Sequence, residues 1–386
     1  MKVVWPCHWY GDYKVPVFTN LNQLLQGNLT VFYSKNIVTK SVVKKMETLL
    51  PDNSEGLVEK TIILGKKHNT TMANKRLFIR LQPELYCKLC KINPDIVIAE
   101  TFGGWSPISI FYAVTHRKKL MMFYERTAYV ERNARKIQIL YRKLIGRFVK
   151  HFLINGVLTR QYLDSLGFER TPKTEGLMVS DTSGLIRALN AFSEKDRELL
   201  CQKLKLHKKG IVYLFVGQIV KRKGIEELCE AWEIHIKEYP NDKLIVAGTG
   251  VLLEMLKNKY VSESSICFLG RIEYDDIHTY YAISDVFIMP TIEDNWCLVV
   301  PEAMACGKPI ACSIYNGGHV ELVKDGENGY NFDPFKKEDI INTLRKFHHI
   351  NLKMFGKRSL EIVADFTPEI AARKIANACK SLYQTH

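Results

Sequence analysis

Val286-Phe287-Ile288-Met289-Pro290-Thr291-Ile292-Glu293-Asp294-Asn295-Trp296-Cys297-Leu298-Val299-Val300-Pro301-Glu302-Ala303-Met304-Ala305-Cys306-Gly307 passes from an apolar, strand-like run through a polar loop into a short helix pattern. Asp294 and Glu302 stand eight residues apart, with the predicted helix N-terminus between them. Carboxylates accept hydrogen bonds from sugar hydroxyls, while unpaired N–H groups and the helix dipole favour phosphate. A ligand with a hydroxyl-rich part and a diphosphate suits that arrangement, and nucleotide-sugars are such ligands.

Upstream, the strand-like residues 211–216 lead into Gly217-Gln218-Ile219-Val220-Lys221-Arg222-Lys223-Gly224 and then a helix carrying Leu228 and Trp232 on its apolar face. A glycine at a strand end lets backbone approach a phosphate, and a lysine near the helix start supplies a point charge. Lys243-Leu244-Ile245-Val246-Ala247-Gly248-Thr249-Gly250 is a second strand-to-glycine turn, Ile266-Cys267-Phe268-Leu269-Gly270-Arg271 a third, and Gly317-Gly318-His319-Val320-Glu321 a later turn.

The same alternation runs through the whole chain. Strand patterns fall at 2–5, 30–33, 60–64, 95–99, 119–123 and 152–155, with helical patterns at 40–50, 78–89 and 132–150; further strands fall at 243–247, 265–269, 286–289, 309–312 and 329–332. Strands joined by helices predict parallel sheets covered on both faces. The fold class is therefore α/β, with two doubly wound, Rossmann-like domains facing a cleft. The expected limits are 1–178 for an acceptor-binding domain, 179–367 for a nucleotide-sugar-binding domain, and 368–386 for a C-terminal helix.

These motifs, in this order, resemble the retaining glycosyltransferases of family 4, which have the GT-B fold, and in particular members of the bacterial polysaccharide-assembly type. Asp294 to Glu302 is similar to the family's E-x7-E motif, with Asp in place of the first Glu and Cys297 in place of a Gly. Glu302-Ala303-Met304-Ala305-Cys306-Gly307-Lys308-Pro309 follows the family almost letter for letter, and Gly217 to Gly224 is similar to its G-R-L-x-x-x-K-G segment, with Gln218 in the Arg position. The resemblance implies that Lys223 contacts phosphate and that Gly217, Gln218 and Arg271 belong to the donor site. Glu302 would accept the ribose hydroxyls. Asp294 would hold the donor sugar as a catalytic residue, and the backbone at Cys297, Leu298 and Val299 would face the diphosphate. It also implies that the last helix crosses back to the first domain.

The first domain is less explicit. Glu125 stands where the family often carries a histidine and is the second candidate for a catalytic contact. It opens an E-x-T-x-x-x-E-R pattern, Glu125 to Arg132, that some of these bacterial members share. The neighbouring Arg126 suits either a phosphate or a loop salt bridge with Glu131 and Arg132. His8, Trp9 and Tyr10 follow the first strand, and Trp105 follows the strand at 95–99. They are candidate acceptor contacts, with simple packing as the other reading.

Charge divides the chain unevenly. Of the net +14, residues 1–180 hold 28 Lys+Arg against 13 Asp+Glu, a net of +15, and the remainder holds 27 against 28. Arg132, Arg135, Lys136, Arg142, Lys143, Arg147 and Lys150 interleave with Ile137, Ile139, Leu140, Leu144, Ile145 and Phe148 in one basic amphipathic helix. Such a helix suits an anionic membrane surface; a solvated basic face is the alternative. No stacking module accompanies the charge, so nucleic acid is not an expected partner.

No run of about 18 apolar residues is present, and residues 1–6 lack the pattern of a secretory signal. The expected location is the cytoplasm, peripheral to the inner face of the plasma membrane. The ten cysteines are scattered, and Cys87-x-x-Cys90 has no second pair to complete a metal site. Neither a metal nor another cofactor is expected. The reaction implied by the resemblance is metal-independent transfer of a sugar from a UDP- or GDP-sugar to a saccharide acceptor. That acceptor would be lipid-diphosphate-linked, in the assembly of a capsule, a lipopolysaccharide or another cell-surface polysaccharide. The rival readings are a nucleotide-sugar 2-epimerase of the same fold and a catalytically silent partner subunit.

Overall fold

The computed structural model describes residues 1–64, 77–207 and 209–384. The chain divides into unit 1, Met1–Ser180 with Phe366–His386, and unit 2, Asp181–Asp365. Residues 65–76, 208 and 385–386, which fall inside the expected domain limits, lie outside the described residues.

Unit 1 holds β1 (Val3–Pro6), β2 (Leu29–Ser34), β3 (Ser54–Leu57), β4 (Lys60–Leu64), β5 (Leu77–Leu81), β6 (Ile96–Glu100), β7 (Lys119–Tyr124), β8 (His151–Ile154) and β9 (Lys173–Thr174). Seven of these form one sheet in the order β3-β2-β1-β6-β7-β8-β9, and every pairing in it is parallel. β1 and β6 are buried along their whole length. Such strands read as unbroken apolar runs because helices cover both faces of the sheet.

Two expectations change here. The run at 60–64 is a strand, but not one of the parallel sheet: β4 pairs antiparallel with β5 as a separate two-stranded sheet, Lys60 opposite Leu81. The helix expected over 78–89 begins only at Pro83. Its first turn is set by Pro83 and by the Gln82 side chain, which accepts from the Glu84 N–H at 2.9 Å. The strand β3 carried no signal, since Ser54-Glu55-Gly56-Leu57 lacks both apolar alternation and β-branched residues.

The last helix, Pro368–Gln384, packs on helix Lys14–Leu24 and against β8 and β9 through a stripe of Ala371, Ala372, Ile375, Ala376 and Cys379. Lys119 Nζ donates to the carbonyls of Leu382 (2.7 Å) and Tyr383 (2.9 Å), satisfying the helix's open C-terminal end.

Unit 2 holds β10 (Val212–Val216), β11 (Lys243–Ala247), β12 (Ile266–Gly270), β13 (Val286–Met289), β14 (Ile310–Ser313) and β15 (Gly329–Phe332), all parallel, in the order β12-β11-β10-β13-β14-β15. Among the described residues no helix is long and apolar enough to cross a membrane.

Candidate functional site

In unit 2 the strand order reverses between β10 and β13. Loops leaving the carboxyl ends of those two strands therefore diverge, and open α/β sheets bind ligands at such a point. Three loops close on one another there through backbone contacts. The Gly217 N–H donates to Ala247 O (3.0 Å) and the Ile219 N–H to Thr249 O (2.9 Å). Gly224 sits at φ +68° with Pro290 O only 1.9 Å from where a Cβ would be, and Gly248 at φ +145° has Gly217 O at 1.8 Å. A side chain at either position would push the loops apart, which is why these turns are glycine.

The loops enclose a pocket of about 430 Å³ lined by Gly217, Gln218, Gly248, Arg271, Val299 and Glu302, with Tyr274 and Ile277 completing the wall. Arg271 lies on the open rim, its guanidinium 2.7 Å from Glu273. Five of the residues singled out in the sequence thus meet in one cavity.

The other expected donor residues form a different constellation beside it. Lys223 is not an uncommitted phosphate contact: its ammonium lies 2.7 Å from Asp294 Oδ2 and 3.5 Å from Cys297 Sγ. Arg222 approaches the same Oδ2 at 3.2 Å and donates to Gln218 Oε1 at 2.9 Å, which puts a guanidinium next to the glutamine that replaces the family's arginine. Burial would raise the Asp294 carboxyl, but Lys223 and Arg222 outweigh it and hold it below its ordinary value. Burial also works to discharge Lys223, yet Cys297 and Asp294 together raise it. The Cys297 thiol is pushed well up by burial and then by Asp294.

In this cluster Asp294 is 8% exposed and is not among the residues lining the pocket that holds Glu302. The Cys297 N–H, expected to face a diphosphate, donates instead to Asn316 Oδ1 at 2.9 Å. Asn316 carried no sequence signal, because its role depends on a loop 19 residues further on. Leu298 precedes the helix Val299–Ala305, and Val299 opens it.

In unit 1 the strand order reverses between β1 and β6, and His8 and Trp9 stand at that switch point. Gly104, at φ +60°, lies against the His8 ring, with Nδ1 2.5 Å from where a Cβ would be. Burial, aided by Arg80, lowers the His8 imidazole to about 4. Trp9 is 48% exposed. Tyr10 and Trp105 are each 1% exposed, and Tyr10 packs edge-on against Phe18 and Tyr33. Neither ring offers a face to an acceptor: their apolar bulk is used in the core.

Glu125 is half-buried after β7. Arg126 is committed to Glu131 at 2.7 Å, the loop salt bridge rather than a phosphate contact. Glu131, almost fully buried, also binds Arg142 at 2.8 Å, and Arg142 donates to the Tyr162 hydroxyl at 2.7 Å. Arg142 therefore does not belong to the solvated basic face.

The helix itself is shorter than the expected 132–150, running over Lys136–Gly146, and presents an apolar stripe outward. Arg142 and Gly146 are its buried residues, while Ile137 (73%), Leu140 (56%), Tyr141, Leu144 and Phe148 beyond its end are exposed. Their spacing places them on one stripe, with Lys136, Lys143 and Arg147 along one edge.

One further cluster had no sequence signature. His235 Nε2 and His348 Nε2 each lie 2.8 Å from Asp242 Oδ2, and Asp242 Oδ1 accepts from the Ile211 N–H. A metal-bound histidine donates its other ring N–H to a partner, and His235 Nδ1 has none. The cluster fits a hydrogen-bonded latch between helix Ile225–Glu238 and residues 347–349.

Residues 196–359 match the family model described as glycosyl transferases group 1, and this part of the chain is a domain of that family. The chain is 29% identical over 199 residues to the alpha-monoglucosyldiacylglycerol synthase of Acholeplasma laidlawii, covering 50% of this chain and 48% of that protein. It is also 29% identical over 230 residues to the lipopolysaccharide 1,2-N-acetylglucosaminetransferase of Salmonella typhimurium, covering 54% and 59%. The chain thus spans about half the length of these curated relatives. Among solved structures, Anabaena HepE in complex with UDP and glucose aligns with a TM-score of 0.74 at 17% identity, over 99% of this chain and 100% of that one. That likeness shows the fold, which is GT-B.

Proposed function

We propose that this chain is a retaining glycosyltransferase that moves a sugar from a nucleotide-sugar to a hydroxyl of a saccharide acceptor. The observation that carries the reading is the unit 2 pocket at the strand-order switch, where Gly217, Gln218, Arg271, Val299 and Glu302 converge from separate motifs. Glu302 would bind the ribose hydroxyls there. A diphosphate arriving beside the pocket would draw Lys223 and Arg222 away from Asp294, and Asp294 would then be released toward the donor sugar. In this proposal those two cations, rather than a metal, stabilise the departing diphosphate. The complex of HepE with UDP and glucose supports a nucleotide-sugar donor.

The acceptor is proposed to be lipid-linked and reached at an anionic membrane surface. Support comes from the exposed apolar stripe of helix Lys136–Gly146 with its cationic edge, and from relatives whose names refer to glycolipid and lipopolysaccharide synthesis. The test is release of UDP or GDP from a panel of nucleotide-sugars, with and without a lipid extract as acceptor. Acceptor-dependent release that persists in EDTA supports the reading. Conversion of the donor without an acceptor would point to the epimerase, and binding without turnover to a silent partner.

A further inference from the structure

Unit 1 has a cavity at the amino ends of β7 and β8, the opposite end of these strands from Glu125. It encloses about 520 Å³ and is lined by Arg117, Lys118 and Lys119, which lead into β7, and by Lys150, which precedes β8. Val114, Phe148 and Leu382 supply apolar walls, and none of the lining residues is acidic. Lys119 is engaged with the carbonyls of the last helix. The side chains of Arg117, Lys118 and Lys150 make no ion pair with any described residue.

Arg117 is also held at a conformational cost. The helix Ser106–Thr115 ends with the Lys118 N–H donating to Ala113 O at 2.7 Å, and Arg117 occupies the left-handed position at φ +53°. Glycine is the residue that position favours. An arginine there is disfavoured locally, so a role outside the turn is the economical explanation.

The exposed stripe Ile137, Leu140, Tyr141 and Leu144 leads to Phe148, which forms part of the cavity wall. An apolar surface thus ends at a pocket of three uncompensated cations. We infer that this pocket binds the phosphate headgroup of an anionic membrane lipid, with the stripe seated among the acyl chains. The inference rests on the proposed membrane association and adds to it a specific headgroup site, distinct from the diffuse attraction of a basic face.

The experiment is flotation of the full chain with vesicles of phosphatidylcholine alone or with one-third phosphatidylglycerol, using UDP binding by calorimetry to confirm folding. Wild type should float only with the anionic vesicles. The pair Lys118→Glu and Lys150→Glu should lower that affinity at least tenfold. The pair Lys143→Glu and Arg147→Glu, equal in charge but away from the pocket, removes only the diffuse attraction of the cationic edge and should lower it several-fold less than the pocket pair does. Arg117→Gly should raise thermal stability and yet weaken vesicle binding, a combination that a purely structural role does not produce. Equal losses from the two double variants would overturn the headgroup site while leaving membrane association intact. Release of bound protein by millimolar inorganic phosphate would assign the pocket to a free anion instead. Absence of wild-type binding to either vesicle would overturn both.

Discussion

Lys223 and Asp294, 71 residues apart in sequence, form a buried ion pair with 2.7 Å between Nζ and Oδ2, beside the pocket that Glu302 lines. The lysine matched to phosphate and the acid matched to the donor sugar therefore hold each other. Removing one partner from a buried pair strands the other's charge. Lys223→Ala should accordingly destabilise unit 2 by about 3 kcal/mol, contrary to the near-neutral effect expected of a solvated phosphate contact. Chemical denaturation measures this, and an unchanged midpoint would contradict the pairing.

The same pair makes stability pH-dependent. The folded Asp294 carboxyl lies below its ordinary 3.8. Its contribution is thus fully present above that value and is lost as pH falls through the lower folded one. Denaturation of Asp294→Asn between pH 5 and 2 should show a shallower loss than wild type.

Glu302 and Asp294 are expected to separate in binding experiments. Glu302→Gln should weaken UDP or GDP and the full donor alike, by about 1.5–3 kcal/mol for a lost charge-assisted hydrogen bond. Asp294→Asn, which frees Lys223 and Arg222 for phosphate, should not weaken nucleoside diphosphate affinity, while turnover falls. Calorimetry with both ligands decides, and equal losses of nucleoside diphosphate in the two variants would refute the division.

Arg142 and Lys143 are neighbours in sequence with opposite fates. Arg142 is tied to Glu131 and Tyr162 inside unit 1, whereas Lys143 is exposed. Arg142→Ala should cost about 3 kcal/mol, and Lys143→Ala should stay within about 0.5 kcal/mol of wild type. Thermal unfolding of the two variants side by side is sufficient.

His8 should contribute to acid sensitivity. Its folded value of about 4 lies below the ordinary 6.5, so the unfolded chain binds the proton first. The contribution is complete above pH 6.5 and is lost down through about pH 4. His8→Gln should flatten that part of the stability profile, and an unaltered slope would show that His8 titrates normally.

The sequence by itself determined the α/β architecture of both units and the place of the unit 2 pocket at the strand-order switch. Runs such as Val286-Phe287-Ile288-Met289 are apolar throughout because parallel strands covered on both faces cannot alternate, and Gly217, Gly224 and Gly248 mark turns where backbone meets backbone. Glu302 and Arg271 were legible for the same local reason, each lying just beyond a strand or on a short helix that follows one. Only the tertiary structure decided which charges pair. Nothing local reveals that Lys223 belongs to Asp294, that Asn316 takes the Cys297 N–H, or that Arg142 turns inward while Leu144 faces solvent. Helical periodicity identifies two faces but not which one meets the core. On the buried side Glu131 holds the Arg142 guanidinium and Ile139 and Ile145 pack on the core, while Ile137, Leu140 and Leu144 are left outside.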